Sequence, residues 1–532
     1  MDGTMDIAQA VLQDQILRQE PIHIATEKGN SDIQTFYNDS TIFITGGTGF
    51  LGKQLIEKLL RSCNINKIYI LMRSKKGSPV MERLRQCIKD SVFELLREKK
   101  PDFASRLIPV EGDITELRLG LSYQDWNKLT QEVNIIFHVA ATTKFHEPLR
   151  AATIHNVRGT REILLLAKDC KQLKSFVHVS TTFAHATQSW ASHEVLENFY
   201  PSPIPPETMI ELVETVSEER LQKITSKLIE DWPNTYTFTK AIAEEAVRTM
   251  GRDLPVCIVR PPIVIGAYSE PAPGWLDLSS VYGPTGVILG IGMGATHVTL
   301  NGDVRLCYAP VDYVNNTIIA AAWGAATEDR DAKIYAISNY RCKVSWGENR
   351  KIMTSPYMRR YASPKSIWYG YTVETQNKTI FWLLTWLLHY IPAYIMETVY
   401  FLFGIKKPKE IPSFIKMYNK IYQMALVYSY FVTNDWIFDD RNTVSLYNQM
   451  SEQDKVIFNF EMTSINWKRL LLVWCLGCRK YVVKDGLKGS ERGFKKQKWL
   501  RIANFVFMSV YFYVLIYCVY FCLKLFSKLF GL

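Results

Sequence analysis

One strand–turn–helix segment near the N-terminus constrains the fold of this chain more than any other stretch. The apolar run Ile42–Ile44 is β-branched and aromatic, which is typical of a buried strand. Thr45–Gly52 follows with glycines at 46, 49 and 52, and Lys53–Leu60 then carries apolar residues at helical spacing. Glycines on such a turn let the backbone approach a diphosphate at a helix N-terminus. The segment therefore predicts a dinucleotide-binding turn.

The end of the second predicted strand, Lys67–Leu71, indicates which dinucleotide is bound. An NAD site usually has an acidic residue about twenty positions after the glycines, where it holds the ribose 2′-hydroxyl. Here positions 72–76 read Met-Arg-Ser-Lys-Lys, without a carboxylate. Arg73 can clamp a 2′-phosphate with its planar guanidinium. A solvated basic turn is the alternative, but residue type and location together favour NADPH.

Strands and helices alternate from Ser40 to about Arg260, which predicts an α/β fold, a Rossmann-like doubly wound parallel sheet covered on both faces. Ligands of such sheets lie at the carboxyl ends of the strands. We therefore expect the small or polar residues that end the strands to line one crevice: Asp113, Ala140, Ala141, Ser180, Thr181 and Pro261. The full set of expected cofactor contacts is Gly46, Thr48, Gly49, Phe50, Leu51, Gly52, Arg73, Asp113, Ile114, Ala140, Ala141, Asn156, Tyr236, Lys240 and Ile263.

The remaining chain divides into regions of different composition. Residues 1–38 are predicted to be a weakly ordered arm, 39–343 a dinucleotide-binding domain with substrate loops, and 344–485 a mostly α-helical domain. Within the helical domain, the stretch Ile380–Met396 is either interfacial or the wall of an acyl groove. Residues 486–532 are predicted to be a membrane-anchoring tail.

The tail prediction depends on Ile502–Leu523, which carries no charge and is long enough to span a bilayer. A hairpin or an in-plane anchor is the alternative to a full crossing. Cations precede the apolar run, at Arg492, Lys495, Lys496, Lys498 and Arg501, and this places its N-terminal side in the cytoplasm. The net charge is +11, but no basic patch is interleaved with stacking aromatics. We therefore expect membrane lipid or an anionic substrate as partner, and no nucleic acid.

Tyr236 and Lys240 lie one helical turn apart on one predicted face. A tyrosine can give a proton to a carbonyl oxygen as hydride reaches the carbon, and a nearby ammonium favours its ionised form, which lowers its pKa. The hydroxyls of Ser180–Thr182 follow a predicted strand, and one of them can orient the same oxygen. The histidines at 138, 178, 185 and 193 fit no metal spacing, so we expect them to be structural and expect no metal site.

Several motifs together resemble a known family. Thr45–Gly52, Asn156–Thr160, His178–Thr181 and Tyr236–Lys240 resemble an extended short-chain dehydrogenase/reductase. More narrowly, the chain is similar to the fatty acyl-CoA reductases, which have a C-terminal male-sterility-type domain, and the insect pheromone-gland reductases are similar in style. The narrower resemblance rests on Pro233–Tyr236, Pro273–Asp277, Gly283–Gly286, Pro310–Asp312, Asn434–Phe438 and Trp467.

The resemblance implies reduction of a long-chain acyl-CoA to the primary alcohol through an aldehyde, with NADPH as cofactor and release of CoA. It implies Tyr236, Lys240 and Thr181 as catalytic residues, although Ser180-Thr181-Thr182-Phe183 stands where the family commonly has Ser-Thr-Ala-Tyr. Whether Thr181 or Thr182 is the assisting hydroxyl is therefore open. A membrane of the endoplasmic reticulum or the peroxisome, with the catalytic domain facing the cytosol, and a homodimer are further expectations. The alternatives are a membrane-anchored enzyme of the same superfamily acting on a sterol or a nucleotide-sugar, and a non-catalytic NADPH-binding scaffold.

Overall fold

The computed structural model describes residues 5–75, 77–191, 193–327, 332–342, 344–404 and 413–530, with the side chains of 529 and 530 left out. Lys76, the last residue of the predicted basic turn, lies outside the described residues. The strands are β1 Thr41–Thr45, β2 Lys67–Met72, β3 Leu107–Glu111, β4 Ile135–His138, β5 Ser175–Val179, β6 Glu194–Val195, β7 Val256–Arg260, β8 Ile263–Ile265, β9 Val298–Leu300, β10 Tyr308–Pro310, β11 Lys333–Ala336, β12 Val373–Thr375 and β13 Ile437–Phe438.

The helices are numbered in chain order. They are α1 Ile7–Leu17, α2 Glu20–Lys28, α3 Asp32–Tyr37, α4 Phe50–Ser62, α5 Val80–Cys87, α6 Glu94–Lys99, α7 Tyr123–Glu132, α8 Leu149–Thr153, α9 Gly159–Asp169, α10 Pro206–Thr215, α11 Glu218–Leu228, α12 Thr235–Met250, α13 Gly283–Met293, α14 Val311–Thr327, α15 Trp346–Met353, α16 Pro356–Arg359, α17 Lys378–Thr385, α18 Ile391–Leu402, α19 Phe414–Val432, α20 Arg441–Gln449, α21 Glu452–Ile457, α22 Trp467–Gly477 and α23 Ser490–Phe530.

Seven strands form one parallel sheet in the order β11-β7-β5-β4-β1-β2-β3. The strand order reverses between β1 and β4, so a crevice opens there at the carboxyl ends of the strands. The residues of β1, β4, β5 and β7 are buried throughout, as expected for a parallel sheet covered by helices on both faces. This architecture confirms the predicted α/β fold.

The N-terminal segment differs from the weakly ordered arm that the sequence predicted. Its described residues form α1, α2 and α3, and Ala8 and Leu12 of α1 are buried in a cluster with Val473 and Leu476 of α22. The Tyr37 hydroxyl of α3 donates a hydrogen bond of 2.9 Å to the carbonyl of Ile319. The apolar stripe of this segment is short, and it becomes ordered because residues distant in the chain cover it.

The C-terminal region is mostly helical, as predicted, and its apolar side chains join the core that covers the sheet. One cluster of buried residues includes Val177 of β5 and Val314 of α14 together with Leu470 and Trp474 of α22. Two short strands of this region, β12 and β13, pair with β9 and β6 of the preceding part. The helical region therefore shares its core with the sheet region.

Two segments of the described chain are long and apolar enough to cross a membrane, by length and composition. One runs from Lys378 to Leu402, where a π-helical turn joins α17 to α18, and the other from Ser490 to Lys528 within α23. They contact each other, because the Tyr511 hydroxyl donates a hydrogen bond of 2.8 Å to the Leu387 carbonyl. The predicted span Ile502–Leu523 lies inside the second segment.

Candidate active site

In the glycine turn, backbone segments approach each other as closely as the sequence predicts. Gly46 has φ of 75°, and a Cβ there would lie 2.7 Å from the amide nitrogen of Ala140. A Cβ at Gly52 would lie 2.3 Å from the carbonyl oxygen of Gly46. Because no side chain fits at either position, the turn leaves a backbone cradle at the N-terminus of α4. Such a cradle suits the diphosphate of a dinucleotide.

Cationic side chains lie on the wall near the end of β2. Arg73, Lys75 and Arg83 all line the same cavity as the glycine turn. The Arg83 Nη1 donates a hydrogen bond to the Arg73 carbonyl, and the Arg73 Nη1 lies 3.3 Å from Asp113 Oδ2. Arg83, from α5, is a residue that the sequence pattern did not single out. The donor set at this wall fits a 2′-phosphate, which guanidinium groups bind through parallel hydrogen bonds.

A single cavity of about 1210 Å³ connects the glycine turn with a large apolar region. All the strand-end residues expected to share a crevice line this cavity. Of the expected cofactor contacts, the cavity wall includes Gly46, Thr48, Gly49, Phe50, Leu51, Gly52, Arg73, Asp113, Ile114, Ala140, Ala141, Tyr236 and Ile263. A ligand pocket for one drug-sized molecule is typically about 300–1,000 Å³, so this cavity is larger than such a pocket.

Two expected contacts, Asn156 and Lys240, are not part of that wall. Asn156 is buried, and its amide group pairs with the backbone of Thr142, at 3.0 and 3.2 Å, and with the Thr239 hydroxyl at 3.0 Å. The Lys240 Nζ donates a hydrogen bond of 2.7 Å to the Val179 carbonyl. In the structure both side chains therefore form hydrogen bonds with backbone groups that lie behind the cavity wall.

Tyr236 lies on the cavity wall and shares a side-chain hydrogen bond with Thr181. Burial raises the pKa of Tyr236 above its ordinary value, the Tyr282 phenol adds to this, and the Thr181 hydrogen bond partly opposes it. This direction differs from the acidic phenol that the Tyr–Lys spacing predicted, because burial dominates. The phenol is therefore protonated at neutral pH and able to donate a proton.

The three candidate hydroxyls after β5 have different surroundings. Ser180 Oγ donates a hydrogen bond of 2.6 Å to Glu244 Oε1. Thr181 caps a 3₁₀ turn through the Phe183 amide at 3.3 Å and faces Tyr236. Thr182 Oγ1 is buried, is not on the cavity wall and has no hydrogen-bond partner among the described residues. The geometry therefore favours Thr181 over Thr182 as the hydroxyl that reaches a substrate.

A buried charge cluster lies behind these residues. Glu244 accepts two hydrogen bonds from Arg260, at 2.9 and 2.7 Å, and His185 Nε2 lies 3.0 Å from it. The Arg260 guanidinium and its other partners hold the pKa of Glu244 far below its ordinary value, although burial alone would raise it. Burial lowers the pKa of Lys240 to about 8, and Glu244 opposes that shift. Through Glu244, the cluster connects α12, which carries Tyr236 and Lys240, to Arg260 of β7 and to Ser180 directly after β5.

The four histidines considered in the sequence, His138, His178, His185 and His193, do not line the cavity, whereas His155 does. His138 lies 2.8 Å from the Thr45 hydroxyl and 3.1 Å from the Thr160 hydroxyl, and burial lowers the pKa of His138 to about 3. Neither ring nitrogen of His178 has a partner among the described residues. In the part of the chain that the structure describes, no group of three or more His, Cys, Asp or Glu is arranged to hold a metal.

The apolar region of the cavity has walls from the part of the chain that was expected to carry substrate loops and from α19, which the sequence did not identify. They come from α13, from the segment around β9, and from α19 through Ile421, Met424, Ala425 and Tyr428. Phe145 joins this wall to the phenol, because it stacks on Tyr236 with ring centroids 5.8 Å apart and contacts Tyr428 at 5.3 Å. No described residue of 380–396 lines the cavity, so the wall alternative for that stretch is wrong.

Several motifs that carried the narrower resemblance hold the two regions together. Trp275 is buried and stacks on Phe50 at 5.2 Å, and a Cβ at Gly477 of α22 would lie 2.0 Å from the Gly274 carbonyl. Asp312 accepts hydrogen bonds from the backbone amides of residues 268–270. Asp435 pairs with Arg305 at 2.8 Å. These three motifs support the site by packing, whereas Tyr236 of Pro233–Tyr236 and Gly283, Pro284 and Gly286 of Gly283–Gly286 line the cavity itself.

Comparisons with known proteins agree with this arrangement. A family model described as male sterility protein matches residues 44–318, and a second model with the same description matches residues 388–485. A solved structure, the terminal R domain from the myxalamid PKS-NRPS biosynthetic pathway, has a TM-score of 0.53. It covers 83% of this chain and 97% of its own length at 21% identity, which supports the fold.

Curated relatives match over nearly the whole length. The Drosophila melanogaster protein named fatty acyl-CoA reductase wat is 36% identical over 94% of this chain and 96% of its own. Fatty acyl-CoA reductase 1 of Rattus norvegicus is 33% identical over 90% of this chain and 91% of its own. The sheet and its glycine turn imply a nicotinamide cofactor, and the relatives define the group: the chain belongs to the fatty acyl-CoA reductases, a family of oxidoreductases.

Proposed function

We propose that this chain reduces a long-chain fatty acyl-CoA to the primary alcohol through an aldehyde, using two molecules of NADPH and releasing CoA. One observation carries the proposal: a single cavity joins the glycine turn, the paired Tyr236 and Thr181, and an extended apolar region. A nucleotide-sugar substrate, which is polar throughout, would not require an apolar region of this extent. The intact Tyr236 site also argues against a non-catalytic scaffold.

The residues on the wall fit NADPH. The backbone cradle at Gly46 and Gly52 would hold the diphosphate, and Arg73 and Arg83 would hold the 2′-phosphate. When bound, the reduced nicotinamide supplies the hydride for each reduction. Lys240 lies behind the wall, where its Nζ donates one hydrogen bond to the Val179 carbonyl, and its other N–H donors would have to reach the cofactor for the expected contact.

Tyr236 and Thr181 would act on the oxygen of the substrate carbonyl. In the first reduction their hydroxyls donate hydrogen bonds to the developing oxyanion, and collapse of the adduct breaks the C–S bond and expels CoA thiolate. In the second reduction Tyr236 gives its proton to the oxygen of the aldehyde as the alcohol forms. The raised pKa of Tyr236 suits this role, since the proton is present at neutral pH.

Product analysis tests the proposal directly. The purified full chain would be given palmitoyl-CoA, a sterol or a UDP-sugar in parallel, each with NADPH or NADH, and the products identified by gas chromatography. We expect hexadecanol from palmitoyl-CoA with NADPH, together with free CoA. Turnover of the sterol or the sugar in place of palmitoyl-CoA, or binding of NADPH without any turnover, would contradict the proposal.

Arg83→Ala should weaken the use of NADPH while leaving the use of NADH unchanged. A lost hydrogen bond to a charged group is worth about 1.5–3 kcal/mol, so kcat/KM for NADPH should fall about tenfold or more. Steady-state kinetics with each cofactor measures this. Arg85→Ala is the matched control, because Arg85 lies on the same helix with its side chain exposed and off the cavity wall. An equal loss with both cofactors would contradict the assignment of the 2′-phosphate.

Activity should decline as pH rises through about 8. The phenolate that Tyr236 leaves behind is favoured by a positive charge one helical turn away, at Lys240. Because the pKa of Lys240 is lowered to about 8, its ammonium form predominates below that pH and is lost above it. The pH profile of kcat/KM with a fatty aldehyde as substrate reports this group in the free enzyme. A profile that stays flat on either side of pH 8 would exclude the role of the charge.

We also propose that the chain is attached to a membrane through α23, with its catalytic part on the cytosolic side, at the endoplasmic reticulum or the peroxisome. Cations before the apolar run support this orientation. The adjacent segment Lys378–Leu402 exposes Trp382, Trp386 and Tyr394, as interfacial segments do. Flotation of the full chain with lipid vesicles, with and without high salt, separates apolar insertion from electrostatic adsorption.

A further inference from the structure

One face of α13 is formed largely by glycine and borders the cavity. Gly283, Gly286, Val287 and Gly290 recur at spacings of three and four residues, so they lie on the same side of the helix. All of them line the cavity. This face therefore presents backbone to the apolar region at the three glycines, between the side chains of Val287, Leu289 and Met293, which also line the cavity.

The three glycines differ in the space in front of them. A Cβ at Gly290 would lie 2.4 Å from the Thr296 hydroxyl, so that position is already filled by its neighbour. A Cβ at Gly286 would meet only the Val281 carbonyl, at 3.8 Å, which is ordinary contact. A side chain at 286 would therefore extend into the cavity without first displacing protein.

The contacts of α13 place Gly286 beyond the catalytic residues. A Cβ at Gly283 would lie 3.9 Å from the Tyr428 ring, which contacts Phe145, and Phe145 stacks on Tyr236. Gly286 is three residues further along the helix, about 4.5 Å at the usual rise. The opposite wall, on α19, recedes from Tyr428 through Ala425 and Met424 to Ile421, again at helical spacing. The apolar space between α13 and α19 thus begins beside the catalytic tyrosine and leads away from it.

We propose that Gly286 is a specificity-determining position that sets the length of acyl chain the cavity accepts. The missing side chain leaves room for the distal methylenes of a long acyl group along α13. A large side chain there would obstruct those methylenes and leave the thioester end, beside Tyr236, unaffected. This inference rests on the proposed reduction of acyl-CoA.

The test compares Gly286→Leu with Gly292→Leu in the full chain. Gly292 lies on the same helix, is exposed, is not on the cavity wall and has no atom within 4 Å of an added Cβ, so it controls for the change in helix propensity. The kcat/KM values are measured with NADPH and acyl-CoA substrates from butyryl to stearoyl. For Gly286→Leu we expect the longest accepted chain to shorten, and the preference for long over short chains to fall about tenfold or more. Gly292→Leu should keep the wild-type profile.

The outcomes separate the inference from the function on which it rests. If the wild-type chain reduces no acyl-CoA, the proposed function is wrong. If the wild-type chain is active and Gly286→Leu keeps the same chain-length profile, or loses activity equally for all lengths, the assignment of Gly286 is wrong. Should the leucine variant not fold, Gly286→Ala decides: a smaller shift towards short chains supports the assignment, and an unchanged profile overturns it.

Discussion

Tyr236→Phe is expected to lower kcat for alcohol formation by about 10²–10⁴-fold, because the reaction would lose a positioned proton donor. The phenol lies on the cavity wall, is hydrogen-bonded to Thr181 and has a raised pKa that keeps it protonated. Phenylalanine preserves the ring that stacks on Phe145, so the cavity should keep its shape. Single-turnover measurements with palmitoyl-CoA and with a fatty aldehyde, each with NADPH, would report the loss in both reductions.

Tyr428→Phe is the matched control for that prediction. Tyr428 also lines the cavity and also contacts Phe145, but its hydroxyl is not hydrogen-bonded to Thr181 among the described contacts. We expect its kcat to stay within a few-fold of the wild-type value, and both variants to bind NADPH with wild-type affinity in a fluorescence titration. Near-normal alcohol formation by Tyr236→Phe would remove Tyr236 from the mechanism.

Glu244→Ala should reduce the free energy of unfolding by about 3–5 kcal/mol, the cost of leaving a buried charge without its partner. The side chains of Glu244 and Arg260 are each only 2% exposed, and Ser180 and His185 also pair with the carboxylate. Removing the carboxylate would leave the Arg260 guanidinium buried with only its hydrogen bonds to the carbonyls of Leu196 and Asn198. The midpoint of thermal or denaturant unfolding of the full chain measures the effect.

The adjacent residue provides the control for the stability prediction. Glu245 pairs with Arg248 on the outer side of α12, and the Arg248 side chain is 51% exposed. A surface pair of this kind contributes about 0–1 kcal/mol, so Glu245→Ala should shift the midpoint only slightly. Equal shifts of the unfolding midpoint in the two variants would show that burial does not increase the contribution of Glu244 to the free energy of unfolding.

Much of the catalytic cavity could be predicted from local sequence. A glycine turn between an apolar strand and an amphipathic helix, and small residues after parallel strands, meet at one edge of the sheet whatever surrounds them. For this reason all the strand-end residues, from Asp113 to Pro261, lie on one wall. Asn156 and Lys240 were predicted as cofactor contacts, but in the structure they bond to backbone behind the wall.

The direction in which the fold shifts the pKa of a side chain could not be predicted in the same way. The spacing of Tyr236 and Lys240 suggested a phenol of lowered pKa, yet burial raises it, and burial depends on residues such as Phe145 and Tyr428 that come from other parts of the chain. The N-terminal segment is a similar case. Its short apolar stripe forms three helices because α22 packs against α1, α21 against α2 and α14 against α3.

Local pattern therefore accounts for the dinucleotide turn, the parallel sheet, the position of Tyr236 at the start of α12 and the apolar C-terminal helix, since each depends on neighbours within a few residues along the chain. The apolar region of the cavity was decided by the tertiary structure, because its walls, α13 and α19, are far apart in sequence and each is an ordinary apolar helix on its own. The glycines of α13 and the methionine and alanine of α19 line the apolar region beside Tyr236 only because the fold brings the two helices together.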